Sequence, residues 1–264
     1  MKEKILSQLS TECPWRDTLY WFDTIDSTNS QAKRLAKQGA PQGTVLIAGT
    51  QTAGRGRMGR TFQSPDGQGV YLSVILRPNC APTELMHLTC AVGAAMVNAV
   101  ESVCNLQPQL KWINDLVFEG KKLGGILTEM SLADGIVEYA VVGVGINCLQ
   151  TEADFPAGIT DMATSLSILC KKAIAPEQLA AAMIIHLWQM EKTLLTEKHR
   201  WLAEYKANCI TLGKEIQVIR GDSVAPGKAL DVDADGGLVV QYADGRIETV
   251  ASGEVSVRGM YGYV

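Results

Sequence analysis

A seven-residue loop, 54–60, combines three arginines with three glycines, and these residue types suit the binding of an anion. Arginine side chains form paired hydrogen bonds to phosphate or carboxylate oxygens. Glycine allows the backbone to approach a ligand closely and to adopt positive φ values. The pattern therefore predicts a mobile clamp for a polyanionic ligand, and a solvated basic surface loop is the alternative.

The spacing of the three glycines also matches the dinucleotide-binding fingerprint, but the surrounding sequence excludes that interpretation. The fingerprint requires a strand before the glycines and a helix directly after them. A strand is predicted at 44–50, but the segment 61–69 contains Pro65 and two glycines and cannot begin a long helix. The acidic residue expected about twenty positions further on is missing. The sequence also contains no P-loop motif and no kinase motifs.

Composition indicates a globular, core-forming protein. The 264 residues are 47% hydrophobic and 20% charged, which suits one large domain or a large and a small one. A net charge of -4 argues against general nucleic-acid binding, which usually needs a basic surface. We expect no secretory leader and no membrane span, because no apolar run approaches the roughly 18 residues required.

Seven cysteines, none spaced as Cys-x-x-Cys, indicate reduced thiols and a cytoplasmic protein. Cys148 follows a glycine-rich strand. A buried structural thiol is favoured there over a nucleophile, because no histidine lies near it in sequence. The three histidines are widely spread, which argues against a zinc site, and no metal site built from protein side chains is predicted.

Hydrophobic periodicity predicts both helices and strands. Helices are expected at 31–37, 82–103 and 176–206, and strands at 45–48, 70–76, 109–112, 116–119, 123–130 and 136–147. The helical block 176–206 should cover one face of the sheet. Met86 and Met96 are interpreted as core residues, and Gly93 as a point of close helix packing.

The pattern changes near Leu212, where short apolar runs begin to alternate with turns. The runs 238–242 and 246–250 flank an Asp-Gly pair, which is a strong hairpin signal. About fifty residues of this kind predict a small β-barrel. We therefore expect a catalytic domain over 1–210 and a barrel domain over 211–264.

Other short segments carry residues suited to a small ligand. Ser27-Thr28-Asn29 begins a predicted helix, where free N–H groups can bind a ligand, and plain helix capping is the alternative. Two predicted strands contain paired glycines, which favour close approach by a backbone or a ligand, with tight sheet packing or bulges as the alternative.

Together and in order, these segments resemble the catalytic domain of the biotin protein ligase family. The matching segments are Ser27-Thr-Asn29, Gln51-Thr-Ala-Gly-Arg-Gly-Arg-Met-Gly-Arg60, Lys111-Trp-Ile-Asn-Asp115, Lys121-Lys-Leu-Gly-Gly-Ile-Leu127 and Gly145-Ile-Asn147. The resemblance extends from about Asp26 to Ser167. Ile113 stands where the family commonly has proline, and Phe62 where an aromatic residue, often tryptophan, is usual.

The resemblance implies an α+β fold. A mixed β-sheet covered by helices, as in class II synthetase-like biotin and lipoate ligase domains, would be followed by a small C-terminal SH3-like β-barrel. Only 26 residues precede Ser27. The resemblance is therefore to the form without an N-terminal DNA-binding domain, and no repressor function is expected.

The resemblance also implies a reaction. ATP, with Mg²⁺ as activator, would convert biotin to biotinyl-5′-AMP, from which a lysine of a biotin carboxyl carrier protein would be biotinylated. The expected partners are that carrier protein, biotin and ATP, with no nucleic acid and no membrane. A homodimer paired through sheet edges is a further expectation.

Residue roles follow from the same resemblance. Arg57 and Lys122 would bridge the biotin carboxylate and the α-phosphate, and Asp115 would take the proton of the acceptor lysine. Expected biotin-binding residues are Ser27, Thr28, Asn29, Gln51, Arg55, Gly56, Arg57, Lys122, Gly125, Leu127 and Gly145. Expected nucleotide-binding residues are Arg55, Arg57, Arg60, Phe62, Lys111, Asn114, Lys122, Asn147 and Ala163. Glu254 and Arg258 match a family segment that reaches back toward the active site.

Two alternatives remain open. A lipoate or octanoate ligase would share the adenylation chemistry but would need a pocket for a linear acyl chain. A non-catalytic biotin-sensing protein would bind the ligand without turning over ATP.

Overall fold

The computed structural model describes residues 1–156 and 158–251, and the backbone alone of 256–259. Its larger sheet has seven strands: β1 Leu19–Ile25, β2 Thr44–Gln51, β3 Gly69–Leu76, β4 Gln109–Lys111, β5 Asp115–Phe118, β6 Lys121–Ala133 and β7 Ile136–Asn147. Their order across the sheet is β1-β2-β3-β7-β6-β5-β4. Strands β1 and β2 run parallel, and the other neighbouring pairs are antiparallel. The mixed sheet predicted from the sequence is confirmed.

Six α-helices accompany this sheet in the described part of the chain. They are α1 Lys2–Leu6, α2 Thr28–Lys37, α3 Leu88–Cys104, α4 Leu166–Cys170, α5 Pro176–Thr193 and α6 Lys198–Asn208. Short 3₁₀ turns lie at Pro14–Thr18, Arg57–Gly59, Pro82–Leu85 and Glu152–Asp154.

The sheet has a helical layer on each face. Helices α3 and α5 pack together and contact the sheet on one side, where Val45 and Ile47 of β2 join the main core. Helix α2 packs on the opposite side, where Leu46 joins a smaller cluster with Ala32 and Ala36. Successive side chains of a strand point to opposite faces, so a single strand supplies both clusters.

Three details differ from the sequence-based expectation. Strand β1 was not predicted; it forms one edge of the sheet, and its alternation of buried and exposed residues is irregular. The helix expected over 82–103 begins as a 3₁₀ turn and becomes α-helical only at Leu88. The helix expected over 176–206 is two helices, because the chain leaves the helical path between Thr193 and Lys198.

Met86 lies in the break between the 3₁₀ turn and α3 and is 47% exposed, so its interpretation as a core residue was wrong. Met96 is buried as expected. Gly93 also packs closely, since a Cβ added there would lie 3.2 Å from Leu110 Cδ2. Within the described residues, one helical stretch, Pro82–Cys104, is long and apolar enough to span a membrane. Of its apolar 18-residue segment, 67% is buried inside the protein. That is the burial expected of a core helix.

All seven cysteines are free thiols, and Cys148 is buried. Burial raises the pKa of the Cys148 thiol to about 12. The thiolate needed for nucleophilic attack is therefore scarce at neutral pH, and the structural interpretation of this residue fits its surroundings.

The C-terminal part forms a second, antiparallel sheet. Its strands are β8 Glu215–Arg220, β9 Ser223–Val232, β10 Leu238–Tyr242, β11 Ile247–Val250 and β12 Ser256–Gly259, in the order β11-β10-β9-β8-β12. The hairpin predicted around Asp244-Gly245 is confirmed by the pairing of Leu238 with Val250. Glu254 lies outside the described residues, as does the side chain of Arg258.

The C-terminal sheet contacts the larger part of the protein through the loop before β10. The indole Nε1 of Trp112 donates to the carbonyl oxygen of Gly236 at 3.0 Å. Lys198 of α6 forms an ion pair with Asp235 in the same loop, at 2.7 Å. The second sheet therefore contacts the 111–115 segment at Trp112.

Two glycines in the connection between α2 and β2 allow a matched test of packing against backbone strain. Gly39 and Gly43 both have positive φ values, 86° and 77°. A Cβ on Gly39 would meet no atom within 4 Å, whereas one on Gly43 would lie 2.2 Å from Trp15 Cδ1.

Gly39→Ala should lower the free energy of unfolding by about 1–2 kcal/mol, from the left-handed backbone alone. Gly43→Ala should cost a further 1–3 kcal/mol, roughly, because the buried indole must move. Urea unfolding of both variants measures the difference, and equal losses would contradict this account of Trp15.

Candidate active site

A cavity of about 610 Å³ opens on the face of the sheet that α2 covers. The start of α2, the arginine loop, the strands β5 to β7 and the segment 159–163 all contribute to its wall. In the register of the sheet, Gly125 lies opposite Gly145 and Leu127 opposite Gly143, so these four positions share one face. The predicted residues that line it are Ser27, Thr28, Asn29, Gln51, Arg55, Gly56, Arg57, Arg60, Phe62, Lys111, Asn114, Asp115, Lys122, Gly125, Leu127, Gly145 and Ala163.

Asn147 is the one predicted site residue outside this lining. Its side-chain amide donates to the carbonyl oxygen of Thr164 at 2.9 Å, and its Oδ1 accepts from Gln150. The backbone of Thr164 in turn donates to the carbonyl oxygen of Lys122. Asn147 thus fixes the strip that carries Ala163, rather than facing the cavity.

The arginine loop folds back on itself as a short hairpin. The backbone N–H of Phe62 donates to the carbonyl oxygen of Gly54 at 2.9 Å, and that of Gly56 donates to Arg60 at 2.7 Å. A Cβ on Gly54 would lie 2.3 Å from the Phe62 carbonyl oxygen, which explains glycine at that position. Met58 has a φ of 55° and a side chain that is 58% exposed at the loop tip.

Five cationic side chains and a single carboxylate, Asp115, occur among the described residues that line the cavity. Lys122 Nζ lies 2.6 Å from Asp115 Oδ1. Arg57 donates from Nη1 to Asn114 Oδ1 at 3.1 Å, and its burial lowers the pKa of the guanidinium, against the opposing effect of Asp115. An arginine remains protonated in such an environment. The remaining charges come from Arg55, Arg60 and Lys111.

The 111–115 segment places these groups through paired backbone contacts. Asp115 lies opposite Gly125, and the backbone N–H of Ile126 donates to the carbonyl oxygen of Asn114 at 2.8 Å. The side-chain amide of Asn114 also donates to the carbonyl oxygen of Ile126. The peptide bond between Trp112 and Ile113 is cis.

The strand glycines make room for protein side chains that belong to the site. A Cβ on Gly143 would lie 1.9 Å from Asn29 Oδ1, and one on Gly145 would lie 2.5 Å from Phe62 Cε1. Gly124 instead faces the backbone of β7, with the Gly145 carbonyl oxygen 2.5 Å from an added Cβ. Close approach and tight strand packing, the two alternatives raised by the sequence, therefore both occur.

One end of the cavity is lined by neutral polar groups. Ser27 caps α2 by accepting from the backbone N–H of Ser30 at 3.4 Å. Gln51 Oε1 accepts from the backbone N–H and the hydroxyl of Thr28, at 2.9 and 3.1 Å. Ser73, which is buried in β3, donates to Asn29 Oδ1 at 2.6 Å and lies 2.8 Å from Thr28 Oγ1. Hydrogen bonds therefore connect these side chains before any ligand binds.

Sequence reasoning missed several residues of the wall. They are Met58, Thr61, Leu72, Ile126, Val144, Ile159 and Met162. The apolar strand residues among them resemble ordinary core positions. Ile159 and Met162 lie in a loop without periodicity, and only the pairing of the Lys122 backbone N–H with the Met162 carbonyl oxygen brings that loop to the cavity.

The described residues contain no group of three or more His, Cys, Asp or Glu side chains that could hold a metal ion. Asp115 is already bonded to Lys122, and Asn114 Oδ1 to Arg57. A magnesium ion in this cavity would therefore be held mainly by phosphate oxygens of a nucleotide. That is a usual mode of binding for this ion.

The fold and the site define a protein that binds small, negatively charged ligands on one face of a mixed sheet, and comparison with known proteins is consistent with this. Residues 21–147 match the model of the biotin/lipoate A/B protein ligase family. Residues 211–258 match the model of the biotin protein ligase C-terminal domain.

Individual relatives agree with these matches. The chain is 32% identical over 254 residues to the bifunctional ligase/repressor BirA of Bacillus subtilis. The aligned region covers 94% of this chain and 76% of the relative. It is 32% identical over 235 residues to the biotin–(acetyl-CoA-carboxylase) ligase of Mycobacterium tuberculosis, with 87% and 85% covered. The biotin protein ligase of Aquifex aeolicus in complex with biotin and ATP superposes with a TM-score of 0.76 at 29% identity, covering 92% of this chain and 99% of that one. The chain belongs to the biotin protein ligase family.

Proposed function

We propose that this chain uses ATP to attach biotin to a lysine of a biotin carboxyl carrier protein, with biotinyl-5′-AMP as the intermediate. The observation that carries the proposal is that the cavity wall contains two different sets of contacts. Arg57 and Lys122 bond to Asn114 and Asp115, whereas the neutral side chains of Thr28 and Gln51 bond to each other. Biotin has two matching kinds of group, with a carboxylate at one end and a polar, uncharged ureido ring at the other.

The first step joins two anions that repel each other. A carboxylate oxygen of biotin attacks the α-phosphorus of ATP, the bond to the β-phosphate breaks, and pyrophosphate leaves. Arg57 and Lys122 are placed to hold both reactants, and their charges would also stabilise the negative charge that grows in the transition state. Arg60 comes from the same loop as Arg57 and Lys111 comes from β4, so two separate parts of the chain supply further positive charge to the cavity.

The neutral end suits the ureido ring. Thr28 and Gln51 form one hydrogen-bonded unit, and Ser27 lies beside them in the wall. Phe62 covers the Gly125–Gly145 pair and provides an apolar surface for the rest of the vitamin. Few polar groups set in an apolar wall are typical of sites that fix the orientation of a small ligand.

The second step needs an uncharged amine. The acceptor lysine must lose a proton before its nitrogen attacks the carbonyl carbon of the adenylate, with AMP as the leaving group. Asp115 is our candidate for the proton acceptor, because it is the carboxylate of the described cavity lining and lies beside Lys122. Magnesium, bound chiefly by the nucleotide phosphates, would supply further positive charge during the first step.

The partners and the cellular location belong to the same proposal. The carrier protein must approach the open side of the cavity, where the exposed loop tip at Met58 lies. Seven free cysteines suit the reducing cytoplasm. A homodimer stays a prediction. Strand β1 is an edge of the larger sheet, whereas Leu110 of the other edge strand, β4, already pairs with Cys209.

A lipoate or octanoate ligase remains the nearest alternative in chemistry. The linked polar groups at Thr28, Gln51 and Ser73 favour biotin, because a linear acyl chain offers them no hydrogen-bonding partner. Thr28 and Gln51 already bond to each other, but an acyl chain would bury their remaining hydrogen-bonding capacity without a partner, which is costly.

The test of the function is mass spectrometry of a carrier domain incubated with the protein, ATP, Mg²⁺ and biotin. We expect a mass gain of one biotin, at a single lysine. The same incubation with lipoate in place of biotin is the control, and modification by lipoate alone would favour the alternative.

Arg57→Ala should loosen the hold on the intermediate, because the guanidinium is placed to contact the adenylate. More activated biotin should appear in solution, measured as biotinyl-5′-AMP in the filtrate or as labelling of bystander proteins. Arg57→Lys keeps the charge but not the paired hydrogen bonds, so its release of biotinyl-5′-AMP should lie between that of the wild type and that of Arg57→Ala. Unchanged leakage and unchanged transfer would remove Arg57 from the mechanism.

Lys122→Ala should slow biotin-dependent exchange between ATP and pyrophosphate by about 10²–10³, the usual loss of one well-placed donor. Lys121→Ala is the matched control. Lys121 is the neighbouring lysine, it lies outside the cavity lining, and its Nζ donates to the Thr160 carbonyl oxygen. Equal exchange rates in the two variants would refute the role of Lys122.

A further inference from the structure

Glu129 lies just outside the main cavity, on the same face of β6 as Gly125 and Leu127, and no step of the proposed reaction uses it. Its side chain is 21% exposed. It forms part of the wall of a second cavity of about 320 Å³, which runs along the other side of the arginine loop. Three side chains, two from α2 and one from the arginine loop, converge on this one carboxylate.

The contacts of Glu129 divide between its two oxygens. Oε1 accepts from Lys33 Nζ of α2 at 2.8 Å. Oε2 accepts both from Arg55 Nη1 of the arginine loop, at 3.0 Å, and from Asn29 Nδ2, at 3.1 Å. Burial alone would raise the pKa of Glu129, but the hydrogen bonds from Lys33 and Asn29, together with the positive charges of Lys33 and Arg55, lower it, so the group is ionised at neutral pH.

The contact with Asn29 fixes the orientation of a buried amide. Asn29 Nδ2 faces two acceptors, the Glu129 carboxylate and the carbonyl oxygen of Leu127 at 3.2 Å. Its oxygen must therefore face Ser73, whose hydroxyl lies 2.6 Å from Oδ1 and has to donate to it. A hydroxyl carries one proton, so Ser73 has none left for Thr28.

The direction of hydrogen bonding at Thr28 follows. Thr28 Oγ1 lies 2.8 Å from Ser73 Oγ and 3.1 Å from Gln51 Oε1. Both of these oxygens can then only accept a hydrogen bond from Thr28. The Thr28 proton points inward to one of them, and its oxygen presents lone pairs to the cavity. Toward a ligand, Thr28 is an acceptor that suits a ureido N–H.

We propose that Glu129 is a positioning residue for biotin binding: its negative charge sets the direction of the Asn29–Ser73–Thr28 hydrogen bonds, and the same oxygen ties the arginine loop to the sheet through Arg55. This inference rests on the proposed function. Glu129 itself need not touch the ligand. A ligand bound by Thr28 and a loop closed over it would both depend on one carboxylate.

Glu129→Gln is the most direct test, because it keeps the shape of the side chain and removes the charge. A glutamine can present its own amide N–H groups to Asn29 Nδ2 and so removes one of its two acceptors. Only the Leu127 carbonyl oxygen then favours the present direction of the hydrogen bonds as far as Thr28. We expect the Kd for biotin alone, measured by calorimetry, and the KM for biotin in ATP–pyrophosphate exchange both to rise at least about tenfold, the usual effect of losing a charged hydrogen bond. The KM for ATP should change less than about threefold, since the affected hydrogen bonds end at Thr28.

Two further variants separate charge from structure. Glu129→Asp keeps the charge and should recover part of the biotin affinity. Glu138→Gln is the matched control, because Glu138 is an exposed carboxylate on the same β6–β7 hairpin whose Oε2 accepts from Ser131 at 3.2 Å. Its biotin affinity should equal that of the wild type.

A double-mutant cycle tests the contact between Glu129 and Arg55 that ties the arginine loop to the sheet. Arg55→Ala and Glu129→Gln should each increase release of biotinyl-5′-AMP, and the double variant should release little more than the worse single variant, because both remove the same contact.

Three outcomes would overturn the role of Glu129. They are an unchanged biotin Kd in Glu129→Gln, additive release in the double variant, or equal losses of biotin and ATP affinity together with a large fall in Tm, which would indicate a merely structural role. A wild-type protein without biotin-dependent exchange would refute the proposed function and this inference together. An active wild type with an unaffected Glu129→Gln variant would refute this inference alone.

Discussion

The whole site depends on keeping several positive charges close together in the absence of a ligand. Two unit charges about 4 Å apart interact by roughly 4 kcal/mol at the effective dielectric of a protein surface, so five cations around one cavity oppose their own arrangement. Contacts with the protein hold three of them in place: Asp115 binds Lys122, Asn114 binds Arg57 and Glu129 binds Arg55. A ligand that carries several negative charges relieves the remaining repulsion. In the proposed reaction the nucleotide and the biotin carboxylate would each bind better in the other's presence for this reason.

The same contacts explain why the cations come from two kinds of structure. Lys111 and Lys122 lie on strands whose register is fixed by backbone pairing. Arg55, Arg57 and Arg60 lie on a hairpin loop between β2 and β3, outside the strands of the sheet. The fixed lysines can define where the reacting atoms lie, and the arginines can complete the charge only when the loop is in place. A site made wholly of strands would leave no entrance, and one made wholly of loop would leave no fixed geometry.

Much of this could be predicted from the sequence because the relevant signals are local. The glycine–arginine loop, the glycine pairs and the helix start at Ser27 are short segments whose residue types have few other uses in combination. Predictions failed where tertiary contacts decide. The edge strand β1 has little alternation, and Met86 sits at an unexpected break in a helix, where the chain turns it toward solvent. The role of Asn147 in nucleotide binding stays a prediction; its amide is bonded to the backbone of Thr164.

Glu129 shows most clearly what pattern alone omits. In sequence it is one polar residue on a strand with alternating character, and nothing near it suggests that Lys33, Arg55 and Asn29 will meet there. Asn29 and Lys33 lie one helical turn apart on α2, and both are far in the chain from Glu129. They reach this carboxylate because α2 packs over β3 and β7 at the place where Gly143 of β7 leaves room for Asn29. A larger residue at 143 would displace the amide, and the carboxylate would then have only cations as partners. The interpretations of Ser27-Thr28-Asn29 as a helix cap and as a ligand site are therefore compatible. Ser27 caps the helix, while the next two side chains point into the sheet and connect the neutral end of the cavity to the charged loop.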